Sequence, residues 1–338
     1  MFQNQSTDFA NGASRSANTL ESSQIGTSRA IFKGEEDIGG GTKAIFLYEM
    51  DFDSADQGSS PYAGEIYVGL SGNLGTLKMG SPNTPSLTTQ GSRSSFTTKI
   101  GGGRSGFLLS GGNRTRYSDS IQYETPTFGG FKAALNYIPK VAAQTTLQGY
   151  AANAAELNAV TDIGAFYSNG PIAAGISNFA QKDAVSHTTA FASYTVGAFK
   201  GTLGFHALDN KAATVGDRAA IAGNAASFDG TTYTAAVAAS NQRLGVGQGK
   251  SQGYNFNLDY SVTPVITVFG NIARTNDKTA FNRDLELVAI GARYDLSKRT
   301  SLHARYISEK RDNVSGVGAS AGVATALKTT LVGIQHNF

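Results

Sequence analysis

Apolar and polar residues alternate along many short stretches of this chain. In residues 254–260, Tyr, Phe, Leu and Tyr alternate strictly with Asn, Asn and Asp. Successive side chains of a β-strand point to opposite faces, so this pattern puts apolar side chains on one face and polar side chains on the other. Similar alternation in residues 43–50 and 331–338 favours strands with one face in an apolar medium and one in water.

The strand-like stretches are separated alternately by short turns and by longer polar loops. Short turns containing Gly, Asn or Pro lie near residues 37–41, 72–75, 126–130, 168–171, 196–198, 261–264 and 295–299. Longer loops lie roughly at residues 4–24, 53–62, 82–118, 140–160, 182–186, 210–250, 277–284 and 311–326. This spacing gives about sixteen strands. Short turns on one rim and long loops on the other predict an all-β, antiparallel transmembrane barrel of the bacterial outer-membrane type.

The two ends of the chain bear on how such a barrel closes. Val332, Ile334 and Phe338 share one face of the last stretch, and the terminal Phe338 is predicted to act as an insertion signal. Residues 1–3 run into a polar stretch without the features of a signal peptide. A membrane-spanning strand needs about nine to eleven residues, so only a stub of strand 1 is expected, near residues 1–4. A start codon assigned too late would explain this; a deliberately shortened recombinant chain is the alternative.

Composition narrows the classes of function. The chain has 338 residues, and no run reaches the roughly 18 apolar residues that a spanning helix needs. Mean hydropathy is −0.20, which alone would suggest a soluble protein, but barrel strands average an apolar face with a polar one. The 28 basic and 25 acidic residues are too evenly balanced for a protein that binds nucleic acid. The absence of Cys fits export through an oxidising periplasm.

Several stretches resemble, in this order, the trimeric general porins of Gram-negative bacteria, particularly their β-proteobacterial branch. They are residues 28–37 (SRAIFKGEED), 43–46 (KAIF), 67–72 (YVGLSG), 119–123 (DSIQY), 128–131 (FGGF) and 332–338 (VGIQHNF). The resemblance implies one sixteen-stranded porin barrel over residues 1–338, a homotrimer, and a third loop, about residues 82–118, folded inward to constrict the pore. It also implies residence in the outer membrane, contact with its lipid and lipopolysaccharide, insertion by the barrel-assembly machinery, and no cofactor.

Two departures from the porin pattern bear on these expectations. Porins normally open with a strand of the Ser-Val-Thr-Leu-Tyr-Gly kind, which the N-terminal stretch here does not match. The strand before the third loop usually ends in Gly-Arg-Gln, whereas this chain reads Gly80-Ser81-Pro82. One arginine that porins often place near the constriction is therefore missing.

The predicted third loop carries only positive charge. It contains Arg93, Lys99, Arg104, Arg114 and Arg116, and it contains no Asp or Glu. Rings of Arg and Lys make pores selective for anions, and such charges act across a narrow opening within a Debye length of about 8 Å. We therefore expect these five residues to form the constriction of a weakly anion-selective diffusion channel for ions and small hydrophilic solutes.

Strand alternation assigns further residues to the water-filled interior. Phe32, Phe46, Val68 and Phe131 are expected to face lipid, so the residues between them face inward. The predicted inward-facing residues are the bases Arg29, Lys33, Lys43, Lys132, Arg293 and Arg305, the acids Glu35, Glu49, Glu65, Glu124 and Asp259, and His206 and His303. The wall is therefore expected to carry charges of both signs.

Other sites and functions have weaker support in the sequence. Residues 101–106 fit the G-x-G-x-x-G pattern, but they lie in a loop without the strand and helix that a dinucleotide site requires. The four His residues lack the spacing of metal ligands, and no local motif marks an enzymatic nucleophile. A substrate-specific channel, for which Phe96 and Phe107 in the loop are the local hint, stays open as the alternative. A barrel enzyme and a structural or adhesion barrel stay open with less support.

Overall fold

The computed structural model describes residues 1–9, 12–56, 62–102, 116–139, 146–147, 150–151, 159–181, 185–210, 250–278, 284–312 and 324–338. Its strands are β1 (Phe2–Phe9), β2 (Ser14–Leu20), β3 (Arg29–Gly39), β4 (Thr42–Asp51), β5 (Tyr62–Gly72), β6 (Gly75–Ser81), β7 (Ser120–Glu124), β8 (Phe131–Ile138), β9 (Thr146–Leu147), β10 (Tyr150–Ala151), β11 (Val160–Asn169), β12 (Ile172–Gln181), β13 (Val185–Val196), β14 (Phe199–Asn210), β15 (Lys250–Thr263), β16 (Ile266–Asp277), β17 (Leu285–Asp295), β18 (Thr300–Arg311) and β19 (Ala324–His336). A short helix, α1 (Pro85–Gly91), lies between β6 and β7. No helix in these ranges is long and apolar enough to cross a membrane.

Seventeen of the strands form one antiparallel sheet. From β3 to β8 each strand pairs with the next one in sequence, and β8 then pairs with β11. Pairing is again consecutive from β11 to β19, and β19 pairs with β1, which pairs with β2. β2 and β3 are the end strands of this series, while β9 and β10 pair with each other. The predicted all-β antiparallel architecture is confirmed.

Every predicted short turn lies between two strands that pair consecutively. The turn between β3 and β4 shows why its sequence is rich in glycine. Gly40 and Gly41 have φ angles of 62° and 74°. This left-handed region is disfavoured for residues with a Cβ atom, so three glycines in a row suit a tight connection between strands.

The N-terminal prediction is wrong. The expected loop at residues 4–24 contains most of β1 and all of β2, and β1 is longer than the expected stub. β1 pairs along its length with β19 and forms a hairpin with β2. Its inward Gln3 and Gln5 are buried, and its outward Asn4 lies beside Thr330. A strand with polar residues on both faces gives no alternation signal, and backbone ladders on both sides hold it in place.

The sheet is apolar outside and polar inside. Phe32, Phe46, Val68 and Phe131 are all exposed, as the alternation predicts, whereas Asn257 on the other face is fully buried. So much exposed apolar surface would make a soluble protein aggregate, but it suits contact with lipid. The polar face is called the inner face below.

The largest buried apolar cluster lies on the inner face of β16–β19. Its members are Ile25, Phe96, Phe269, Ala273, Leu285, Leu287, Ala289, Ile307 and Leu331. Phe96 comes from the segment between β6 and β7, and its ring centroid lies 4.9 Å from that of Phe269 in an edge-on contact. Apolar packing inside the sheet therefore serves to hold this segment against the wall.

Candidate pore constriction

The segment between β6 and β7, which we call the constriction loop, begins with helix α1. Thr84 is the N-cap, and its hydroxyl accepts a hydrogen bond from the Leu87 N–H at 3.2 Å. Pro85 starts the helix, where its missing N–H costs nothing. The Ser86 N–H and hydroxyl donate to the Asp162 carboxylate on β11 at 3.2 and 2.8 Å. A wall carboxylate is favourable there because helix N-termini carry free N–H groups and partial positive charge.

Three asparagines on the inner faces of β15 and β16 hold the next part of the loop. These residues, Asn255, Asn257 and Asn271, are called the Asn ladder below. They contact the loop backbone as follows: Asn255 Nδ2 donates to the Arg93 carbonyl at 2.9 Å, Asn257 Oδ1 accepts from the Ser95 N–H at 3.2 Å, and Asn271 Nδ2 donates to the Gly101 carbonyl at 3.0 Å. The Ser95 hydroxyl also donates to Asp259 at 2.7 Å. Each ladder amide therefore makes one hydrogen bond to the loop backbone, which offsets part of the cost of placing Asn in a strand.

These contacts place the loop inside the sheet. Its described residues touch inner-face residues of β5, β11, β15, β16 and β18, which are distributed along most of the strand series. A segment that reaches all of these strands must cross the interior. Inward folding of the third loop, implied by the resemblance, is confirmed.

Arg93 points to the wall. Its side chain is fully buried, and Nη1 donates to the Phe205 carbonyl on β14 at 3.4 Å. Burial lowers the pKa of its guanidinium to about 9, which still leaves the group charged at neutral pH. This placement differs from the prediction, because a fully buried guanidinium holds the loop and is not exposed at an opening.

Of the remaining loop cations, the structure describes Lys99 and Arg116. Lys99 Nζ donates to the Thr27 hydroxyl at 2.9 Å, which ties the loop to the segment before β3. Arg116 pairs with Glu49 at 3.5 Å and with Asp51 at 3.9 Å on β4. Arg104, Arg114 and the aromatic Phe107 lie outside the described residues.

The predicted wall residues on β3–β8 form ion pairs with a common arrangement. Glu49 is buried beneath Arg29, which it contacts at 2.9 Å. Glu124 accepts from Lys78 at 2.6 Å and also pairs with Lys132. In each of these pairs the carboxylate side chain is buried at least as much as the side chain of its cationic partner. Lys78 was missed from sequence, although the alternation in β6 places it on the same face as Thr76 and Gly80.

Four other predicted wall residues on β3–β5 vary in their surroundings. Lys43 pairs with Glu35 at 2.5 Å, close to the turn between β3 and β4. Glu65 accepts two hydrogen bonds from Asn83 of the loop, at 3.0 and 2.8 Å. Lys33 is exposed and has no ion pair within the described ranges.

The predicted basic residues on β17 and β18 lie under and beside the loop. Arg305 is buried, its Nη1 donates to the Ile100 carbonyl at 3.3 Å, and its guanidinium lies 5.1 Å from the Phe96 ring centroid. Arg293 pairs with Asp295 at 3.2 Å. Because Phe96 is fully buried in this contact, it packs the loop and is not a lumen-facing aromatic that would favour a substrate-specific channel.

The predicted inward-facing histidines are both buried. His206 on β14 lies with its ring centroid 6.0 Å from that of His187 on β13, and His303 Nε2 lies 2.9 Å from the Ser301 hydroxyl. No group of three or more His, Cys, Asp or Glu residues in the described ranges could hold a metal ion.

Comparison with known proteins gives one consistent result. The family model described as "Gram-negative porin" matches residues 2–313. "Outer membrane porin protein 32" of Delftia acidovorans is 28% identical over 349 residues, covering 94% of this chain and 87% of the relative. The solved "Anion-selective porin from Comamonas acidovorans" is 23% identical, with a TM-score of 0.72 over 100% of this chain and 99% of that chain. The trimer form of OmpT from Vibrio cholerae is 12% identical, with a TM-score of 0.58 over 98% of this chain and 96% of that chain.

Proposed function

The chain belongs to the Gram-negative porin family, and we propose that within this family it is a passive, weakly anion-selective channel. Members of the family are outer-membrane diffusion channels, and this chain is a diffusion channel of the Gram-negative outer membrane. Its homologues are channels and not enzymes. The finer proposals concern its ion preference, its constriction and its assembly.

The arrangement of the wall ion pairs is the observation that carries the anion preference. The Arg29 side chain is 45% exposed, whereas Glu49 beneath it is 3% exposed. The Lys132 side chain is 41% exposed, whereas its partner Glu124 is 15% exposed. A permeating ion therefore meets the cationic end of these pairs first. In the pair of Lys43 and Glu35 the carboxylate is the more exposed partner, because the Lys43 side chain is 47% exposed and the Glu35 side chain is 63% exposed. The preference for anions is therefore expected to be weak.

The charges of the constriction loop also make the electrostatic potential in the lumen more positive. Residues 82–118 contain Lys99, Arg104, Arg114 and Arg116 and no carboxylate of their own, although the wall residues Glu49 and Asp51 pair with Arg116. Fixed cations at a narrow opening with low-dielectric walls raise the local concentration of anions. We propose that these four residues and the unpaired Lys33 across the lumen form the constriction, and that Arg93 supports it from behind.

The proposed assembly follows from the family. Residues 1–338 are proposed to form one porin domain with its constriction loop at about residues 82–118, assembled as a homotrimer in contact with outer-membrane lipid and lipopolysaccharide. Insertion by the barrel-assembly machinery, guided by Phe338, is part of this proposal, as are the lack of catalytic activity, of a cofactor and of a nucleic-acid partner. Trimerisation in mild detergent is the first measurement of this assembly.

Reversal potential across a planar bilayer tests the ion preference. In a gradient of dilute potassium chloride, the reversal potential should have the sign expected when chloride is more permeant than potassium. The effect should weaken as salt rises, because screening shortens the reach of the charges. Replacing Arg104 and Arg114 with Gln should shift the potential towards zero, and the matched control Lys310→Gln on the outer face should not. A preference for potassium in the unaltered channel would refute the proposal.

A further inference from the structure

A second cluster of basic residues lies beside the loop, on the wall formed by β14–β18. A recess of about 350 Å³ opens there between Ser95 of the loop and the strand wall. Lys200, Arg293, Arg305 and His303 line it, together with the single carboxylate of Asp259. The recess also reaches Gly197 and Ala198, the turn between β13 and β14. Short turns of such barrels lie on the periplasmic rim, so the recess is on the periplasmic side of the loop.

Two buried donors that line this recess lack a protein acceptor. Arg305 and His303 are only 4% and 8% exposed. Arg305 Nε and His303 Nδ1 have no hydrogen-bond partner within the described ranges. The His303 Nε2 atom lies 2.9 Å from the Ser301 hydroxyl, and we assign this hydroxyl as the donor to Nε2, which puts the ring proton on Nδ1. Both nitrogens are buried, so an acceptor from outside the chain reaches them by a shift of these two side chains, and the tendency of buried donors to be satisfied favours that shift.

The charge balance of the recess specifies an anion. Asp259 accepts from the Ser95 hydroxyl at 2.7 Å and from Asn257 Nδ2 at 2.9 Å, so its oxygens are already engaged by the protein. Arg293 is neutralised by Asp295 at 3.2 Å, but Lys200 has no ion pair within the described ranges. Two positive charges, on Lys200 and Arg305, therefore face one engaged carboxylate.

We propose that this recess binds a small oxyanion, of the class of inorganic phosphate and sulfate, on the periplasmic side of the constriction loop. The oxygens of a tetrahedral oxyanion are spread over several positions, so they can accept from Arg305 Nε, His303 Nδ1 and the Lys200 ammonium separately, whereas a chloride ion would have to meet all three donors at one point. Binding is weak, because a pore site must release its ion for conduction to continue. The inference rests on the proposed function, since block by a bound oxyanion is measured in a channel that conducts chloride.

Block of chloride current by inorganic phosphate tests the site. Phosphate added on the periplasmic side of single channels in potassium chloride should reduce the chloride current in a saturable manner. Sulfate should do the same, and acetate should be weaker because it has fewer oxygens. The variant Lys200→Gln should weaken the apparent affinity for phosphate by about fivefold, as expected for losing one close charge in a hydrated site. Lys200 contacts no loop residue that the structure records, so the loop should keep its place.

Lys33→Gln is the matched control, because it removes an exposed lysine on β3, which does not line the recess. It should alter the reversal potential in potassium chloride and leave the phosphate block unchanged. If phosphate fails to block an anion-selective channel, or if Lys200→Gln and Arg293→Gln leave the block unaltered, the oxyanion site is wrong and the proposed function stands. If the unaltered channel prefers potassium, the proposed function itself fails.

Discussion

Glu124 shows how one residue sets the local sign of the wall. It lies between Lys78 and Lys132, so the group of three carries a net positive charge in the lumen. Charges that act through water at about 8 Å contribute roughly 0.5 kcal/mol, or about a twofold change in an ion ratio. Glu124→Gln should therefore raise the ratio of chloride to potassium permeability about twofold, and Lys132→Gln should lower it by a similar factor.

The two substitutions act on one ion-pair group and must shift the reversal potential in opposite directions. Glu286→Gln on the outer face removes a carboxylate that does not face the lumen and should leave selectivity unchanged. Shifts of the same sign for Glu124→Gln and Lys132→Gln would show that altered loop position, and not charge, determines the measured ratio.

At the scale of elements, the Asn ladder joins the constriction loop to β15 and β16. Each hydrogen bond is expected to contribute about 0.5–1.5 kcal/mol, so removing three should free the loop without unfolding the sheet. The triple change of Asn255, Asn257 and Asn271 to Ala should increase unitary conductance and open-channel noise. Phe256→Ala is the control, because this residue lies between ladder positions but points outward. Unchanged conductance in the triple variant would mean that the remaining contacts, such as the apolar cluster around Phe96 and the Ser86–Asp162 hydrogen bonds, suffice to hold the loop.

The sequence predicted those strands that have one apolar face, and it did not predict strands in which both faces are polar. Phe32 and Phe46 mark their strands because lipid requires an apolar side chain at every second position. β1 and β2 were missed, since most of their own outward residues are polar: Asn4, Ser6 and Asp8 of β1 lie opposite Asn18, Ser16 and Ser14 of β2. Asn255 and Asn257 of the ladder were visible as polar residues on one face of their strand, but alternation gives a residue's face and not its partner. That Arg93 faces the wall depends on the path of the loop, which strand periodicity does not encode.

The whole molecule distributes its side chains in the reverse of a soluble protein. Outward positions are mainly apolar, and the largest buried apolar cluster among the described residues lies inside the sheet, where the loop meets β16–β19. Lipid contact alone does not favour one strand arrangement over another, so backbone ladders must satisfy the polar groups in the membrane. Substitutions at outward apolar positions are therefore expected to be tolerated more often than substitutions that disturb a ladder or the contact between loop and wall.

A variant that lacks Phe338 can show whether this residue acts in membrane insertion or in the stability of the folded barrel. It is fully exposed at 105%, and the ring contact that the structure records is with His336, whose centroid is 4.6 Å away. A residue with so little packing contributes little to the folded state. Deleting Phe338 should therefore leave the midpoint of thermal unfolding in detergent unchanged while lowering the amount of protein inserted in the outer membrane of cells. Phe128→Ala is the matched control, because Phe128 is an 86% exposed aromatic residue in the short turn between β7 and β8 and should not affect insertion. If the truncated chain inserts normally, or if Phe128→Ala impairs insertion equally, a terminal signal at Phe338 is contradicted.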